Sequence, residues 1–382
     1  TPGENLARFG NPVSRALAKD LQAARTKILG NPGLRKIYAG GSGGVLQEGD
    51  NLVQPELSTV LSGIRQRGGG YLYSADLPDR LSLAGERVGV SMSPTEIRES
   101  VPSLVEPLRV EVGPDFLFLP PPPSTGGVMT GQLWQLLAEI EDWEPDTRDS
   151  GVLLAQAERA VLADRSKWLL PDGVSKGAPQ DLVSGDRAET FDLSGASAPV
   201  SASFAATGAG FAVGDRFGNA VACSFTMNAV FGSGKVLADT GIVLASPPAP
   251  GGLDAVPLSV AVIGNENIGR ARLAASAGSG DSSPSDLVQV LIRVLNDDEP
   301  PVDAVAAPRV HLIAGGSVGY ELGLSGDVIS ALEESGFQVR AEADPTRINL
   351  FFCPEGYARV ERASLCGIAT DPLGHGISET VR

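Results

Sequence analysis

The sequence predicts a mixed α/β fold in which sheets are covered by helices. Strand-like alternation and helical periodicity are interleaved along the 382 residues. Several strand candidates are joined as hairpins by short Gly-containing turns. Only 5% of residues are aromatic, so the core rests on Val, Leu, Ile and Ala. The chain is 42% hydrophobic, ample for a packed core, and its length fits one large domain or two or three small ones.

The elements follow in order. Leu17, Leu21, Ala24 and Ile28 recur at helical spacing, with Ser14 placed to cap the helix. Glycines at 40–44 (around Ser42) and at 68–70 break the chain. Residues 105–119 alternate, with Val110, Val112, Phe116 and Phe118 apolar, and read as strands. The run Pro120–Gly127 that follows reads either as a polyproline spacer or as a stiff loop; its place before a helix carrying Leu133, Leu136, Leu137 and Ile140 favours a loop fixed against the fold. A second helix is expected near 151–168, with Leu154, Ala157, Val161 and Leu162 on one side. Residues 173–210 are rich in Ser, Ala, Gly and Asp and read as a mobile linker. A hairpin comes next, Phe211–Asp215 and Ala220–Asn228 around a Gly218-Asn219 turn. Further strands are expected at 241–245, 270–275 and 348–353, and helices near 284–295 and 326–335.

Net charge is −16 with no clustered Lys or Arg, which argues against nucleic acid and anionic membrane surfaces as partners. No run of about 18 apolar residues is present, so no spanning helix is expected. The first residues lack the basic-then-apolar pattern of a signal peptide. With two histidines (His311, His375) and no CxxC, neither a metal site nor a cofactor is expected. Cys223 shares a strand face with Val221 and Phe225 and is expected in the core. Spacing leaves a Cys353–Cys366 disulfide open.

The stretch 207–228, followed by Phe231-Gly232-Ser233-Gly234, resembles the start of the small subunit of γ-glutamyltransferases. Other pieces share the family's order: Pro120–Gly127, Ala157-Glu158-Arg159, Leu162 through Ser166, Ala307-Pro308-Arg309 and Thr370-Asp371-Pro372. The resemblance implies a four-layer αββα sandwich of the N-terminal-nucleophile hydrolase type. It divides the chain into a large-subunit-like portion (1–180), a linker (181–207) and a small-subunit-like portion (208–382), together one domain. It also implies γ-glutamyl amide hydrolysis or transfer, as on glutathione, after self-cleavage frees a Thr. The freed α-amino group, with an unperturbed pKa of about 7.7–8, then serves as the base.

Counting back without a gap from Gly218-Asn219-Ala220-Val221 puts the nucleophile's position at Gly208, which has no side chain. One inserted residue, accommodated as a bulge, would shift the role to Thr207. Thr226 and Asn228, two apart on one strand, match the family's substrate-binding Thr and Asn, with ordinary surface polarity as the plainer reading. Ala274–Asp281 resembles the oxyanion loop, its paired glycines being Gly278 and Ser279 here; a helix-capping turn is the plainer reading. Ser259-Val260 stands where the family has a serine pair. After Thr240-Gly241-Ile242-Val243-Leu244, where the family places amide and acidic residues that grip the substrate ammonium, this chain has Ala245-Ser246-Pro247-Pro248-Ala249-Pro250. The resemblance implies that the family's Arg for the α-carboxylate lies upstream of where the resemblance starts, in an N-terminal segment that is lacking here unless a protein partner or separate chain supplies it.

Two functions follow. One is a degenerate family member acting as a structural or binding subunit; the other is an active amidase using Thr207. Family members being usually exported, the resemblance implies a periplasmic or extracellular place.

Overall fold

Alternating small and large residues, Pro-started helices and Gly turns shape the elements of the computed structural model, which describes residues 1–41, 43–138, 140, 146–170, 174–193, 208–247, 257–342, 346–354 and 366–380. The chain forms two units: Thr1–Leu104 with Met227–Pro247, and Val105–Thr226 with Pro248–Arg382. This packing division differs from the subunit boundary near 208 that the resemblance implies.

The first unit is built from short helices around two small apolar clusters, one centred on Leu21, Ile28 and Leu34, the other on Val60, Tyr71 and Leu77. Ser14 Oγ accepts from the Leu17 amide at 3.2 Å and caps the helix Arg15–Ala23, as expected. The single helix read from the periodicity is two helices, because Ala24 leaves helical geometry before Arg25–Gly30 begins. The strand expected at 241–245 shortens to Ile242–Val243, paired with Val236–Leu237.

The second unit holds the main core. Its strands are β1 (Leu108–Val112), β2 (Asp115–Leu119), β3 (Gly208–Gly214), β4 (Ala220–Thr226), β5 (Leu258–Asn265), β6 (Arg270–Ser279), β7 (Val310–Ile313), β8 (Ser317–Tyr320), β9 (Val339–Ala341), β10 (Ile348–Phe352) and β11 (Gly367–Thr370). Six of them form a fully antiparallel sheet in the order β11-β10-β6-β5-β2-β1. On one face lie helices α1 (Thr125–Leu137) and α3 (Ser283–Leu295), with α2 (Arg148–Trp168) packed behind α1. Leu117, Leu119, Ala261, Ile263, Leu273 and Leu350 meet Val128, Leu133, Leu287 and Leu291 there. Each large apolar side chain so buried contributes about 1.5–3 kcal/mol. The Pro120–Gly127 run is pinned, not a spacer: side-chain carbons at Gly126 and Gly127 would fall 2.2 Å from the Leu258 carbonyl oxygen and 2.0 Å from that of Pro120. Only glycine permits that approach.

On the opposite face lies the β3–β4 hairpin, packed over β10, β6 and β5. Its inward side chains are small: Gly208, Gly210, Ala212 and Gly214 on β3, and Ala220, Ala222, Ser224 and Thr226 on β4. A side-chain carbon at Gly214 would stand 2.3 Å from the Phe351 ring. Small residues thus let the two sheets approach closely.

Several expectations change. Cys223 does share a face with Val221 and Phe225, but that face points outward: both neighbours are exposed and the free thiol is half-buried. The strand ends at Thr226, and Asn228 takes the left-handed conformation (φ +58), so the two are not on one strand. Asn tolerates that geometry better than most residues. Residues 179–183 and 185–188, within the expected mobile linker, form helical turns, the second capped by Ser184. Cys353 and Cys366 are disulfide-bonded. No described helix is long and apolar enough to cross a membrane.

Candidate functional site

The residues singled out from the sequence are shared between the two units. In the second unit, Gly208 opens β3 opposite Thr226 on β4. Thr207 lies outside the described residues. Bonds to the layer beneath hold the hairpin: Ser224 Oγ donates to the Ala277 carbonyl at 2.9 Å, Asn349 Nδ2 donates to the Gly210 carbonyl at 3.0 Å, and the Ala271 amide donates to the Gly218 carbonyl at 2.8 Å. A side-chain carbon at Gly210 would fall 2.6 Å from Ser276 Oγ, a buried hydroxyl without a hydrogen-bond partner.

Gly278 lies next to the start of the hairpin. A side-chain carbon there would stand 3.6 Å from the Gly208 carbonyl oxygen. Gly278 and Ser279 belong to strand β6, however, and not to a loop, because β6 continues to Ser279 before the chain turns into α3. The Gly278 amide donates to the Arg347 carbonyl at 2.7 Å, extending the β6–β10 ladder. An amide so engaged is not directed at a developing oxyanion. Ser259 is fully buried; its hydroxyl is 3.1 Å from that of Ser283, whose oxygen also donates to the Pro257 carbonyl.

In the first unit, Asn228 Nδ2 donates to the Ser246 carbonyl at 3.0 Å, and the Ser246 amide donates to the Met227 carbonyl. Thr240 is buried, its hydroxyl donating to the Leu237 carbonyl and accepting from the Ile242 amide. These bonds shape the segment that follows Thr240. Among its described residues, 240–247, there is no carboxylate or carboxamide.

A buried polar network was not assembled from the sequence. Arg309, almost wholly buried before β7, donates to Glu321 (2.8 Å), to Asp371 (2.6 Å) and to the Thr346 carbonyl (3.2 Å). Next to it His311 Nδ1 lies 3.1 Å from Asp286 Oδ1 on α3, and Glu158 on α2 accepts from the Leu312 amide at 2.8 Å. Burial alone pushes the His311 imidazole down, but the charge and hydrogen bond of Asp286, with Glu158 and Glu321 beyond, raise it to about 9. Burial raises Glu158 to about 8 and Glu321 to about 7 against the pull of His311 and Arg309 respectively. Burial also opposes the charge on Arg309, yet the surrounding carboxylates hold it firmly protonated. The available signal was the set of short motif pieces containing Glu158, Arg309 and Asp371, which are far apart in sequence and meet in this one network. Ser282 Oγ is 2.9 Å from Thr346 Oγ1, so the network also ties down the turn after Gly278. Among the described residues no group of three His, Cys, Asp or Glu side chains is placed to hold a metal.

A sheet-on-sheet unit with helices against the larger sheet defines an α+β fold of the N-terminal-nucleophile hydrolase type. The crystal structure of cephalosporin acylase from Bacillus halodurans matches it with a TM-score of 0.76 at 17% identity, over 98% of this chain and 72% of that one. The family model for gamma-glutamyltranspeptidase matches residues 1–247, and the chain belongs to that family. It is 25% identical over 400 aligned residues to the glutathione hydrolase proenzyme of Escherichia coli (strain K12), covering 93% of this chain and 67% of that protein. It is 24% identical over 379 residues to the glutathione hydrolase proenzyme of Bacillus subtilis (strain 168), covering 88% and 63%. The chain therefore spans about two thirds of the length of these curated relatives.

Proposed function

We propose that this protein is a catalytically degenerate member of the γ-glutamyltranspeptidase family that serves as a structural or binding subunit. The observation that carries this reading is Gly208 at the place counted for the nucleophile, beside a Gly278 amide already donated to Arg347. A covalent mechanism needs a nucleophile and a base within hydrogen-bond reach, and a donor free to meet the oxyanion. The burial of Ser259 against Ser283 and the clamp segment without amide or acid side chains at 240–247 support the same reading.

Intact mass after purification tests this directly. An uncut chain that releases no glutamate from glutathione or from a γ-glutamyl anilide is the expected result. Two fragments with a new amino-terminal Thr207, and hydrolysis lost in Thr207→Ala, would establish the active-amidase reading instead.

A further inference from the structure

Among the described residues the six-stranded sheet ends at β1, with no further strand beside its outer edge. Residues of an antiparallel strand alternate between bonding to their neighbour and turning their amide and carbonyl to the opposite edge. Arg109 is of the second kind. Its amide donates to Gln180 Oε1 at 3.0 Å, and its carbonyl accepts from Gln180 Nε2 at 2.6 Å. Glu111, two residues on, has the same orientation and puts a second amide and carbonyl on that edge. Such an edge is a template for another strand. The Gln180 carboxamide fills one place on it, as a peptide group of a paired strand would. It is held there by the helical turn Pro179–Val183, whose Leu182 and Val183 are buried and whose Leu182 and Val183 carbonyls accept from Gln132 and Gln135 of α1, each at 3.1 Å.

We propose that Gln180 is an edge cap: it keeps a second copy of this chain from pairing along β1, and its withdrawal turns β1 into a two-fold dimer interface. The occupant is identified by the strand's self-complementarity. Laid antiparallel on its own copy about Val110, β1 sets Arg109 against Glu111 of the second copy, and Glu111 against the second copy's Arg109. Both residues turn their backbone groups to the outer edge, so each juxtaposition exchanges two N–H···O=C bonds. Both side chains are exposed on one face of the strand, so each juxtaposition also aligns opposite charges. The contact is the same patch on both copies and closes on itself. In the single chain Arg109 lies 3.1 Å from Glu266 and 3.9 Å from Glu106, exposed ion pairs that hold it only weakly. The carboxamide of Gln180 is thus the main obstacle, since it occupies the Arg109 amide and carbonyl that the second copy needs.

Analytical ultracentrifugation of the full chain over a concentration series, with amide hydrogen exchange, tests this. The wild type should sediment as a single chain, its Arg109 amide exchanging slowly and its Glu111 amide fast. Gln180→Ala removes both bonds from an exposed side chain and should keep the melting temperature. It should self-associate at least about tenfold more tightly, as a two-chain species in which the Glu111 amide becomes protected. In that background Glu111→Arg or Arg109→Glu sets like charges opposite each other and should abolish the dimer. An equal mixture of these two variants restores opposite charges at both positions and should recover it. Four results would overturn the proposal: a wild-type Arg109 amide that exchanges as fast as that of Glu111, a wild type already paired along β1, a Gln180→Ala chain that stays single, or a dimer that survives either charge variant. The last would place the contact on another surface.

Discussion

Replacing Asp371 by Asn tests whether the buried Arg309 network holds the second unit together. Asp371 Oδ2 accepts from Arg309 at 2.6 Å and from the Ile348 amide at 3.4 Å, while Oδ1 accepts from the Leu373 amide at 3.0 Å. Asn preserves the shape and can keep the Leu373 bond, but it turns an NH2 group toward the guanidinium and the Ile348 amide. The substitution removes one charge-assisted bond and leaves Arg309 with Glu321 as its remaining close carboxylate. Breaking one side of a buried pair costs about 3–5 kcal/mol. For a unit of this size that corresponds to a melting temperature lower by about 10 °C. Thermal denaturation by circular dichroism, with urea titration for the free energy, measures it. The triple variant Arg309→Met, Glu321→Gln, Asp371→Asn removes the charges as a set and should recover part of the loss, because no charge is then left buried and unpaired. A single variant within about 1 kcal/mol of wild type, or a triple variant worse than the single, would refute this account of the network.

The remaining predictions concern pH, packing, the site and the disulfide. His311, Glu158 and Glu321 all have raised folded-state pKa values, so these three groups bind more protons in the folded chain than in the unfolded one between about pH 4.5 and 9. Their contribution is complete at the acidic end and is lost as pH rises, with His311 acting from about 6.5 to 9; the urea midpoint should therefore fall across that interval, and His311→Gln should flatten the alkaline part. Gly210→Ala forces a carbon against Ser276 Oγ and should destabilise by about 1–3 kcal/mol in urea, whereas Ala209→Val on the exposed face should change little. Gly208→Thr supplies a hydroxyl but leaves the Gly278 amide donated to Arg347, so a γ-glutamyl anilide assay should stay at background; turnover would show that this amide bond yields to substrate. Removing the disulfide with Cys353→Ala and Cys366→Ala should lower the unfolding free energy by about 2–4 kcal/mol, read by urea titration.

The sequence by itself determined the local elements of this protein. Ser14 announced a helix start, and Gly218-Asn219 announced the hairpin, whose strands begin and end within a few residues of their expected places. Its motif order also identified the family, through short pieces none of which explains itself. Only tertiary structure decided what those pieces do: Glu158, Arg309 and Asp371 meet because α2, the approach to β7 and the end of β11 converge, and no spacing encodes that convergence. The same holds for the faces of the hairpin. Alternation specifies that Val221, Cys223 and Phe225 share a side, yet it is silent on which side is buried. Here close approach to β6 and β10 admits only glycine, alanine and serine-sized groups, so the large side chains turn away from the sheet.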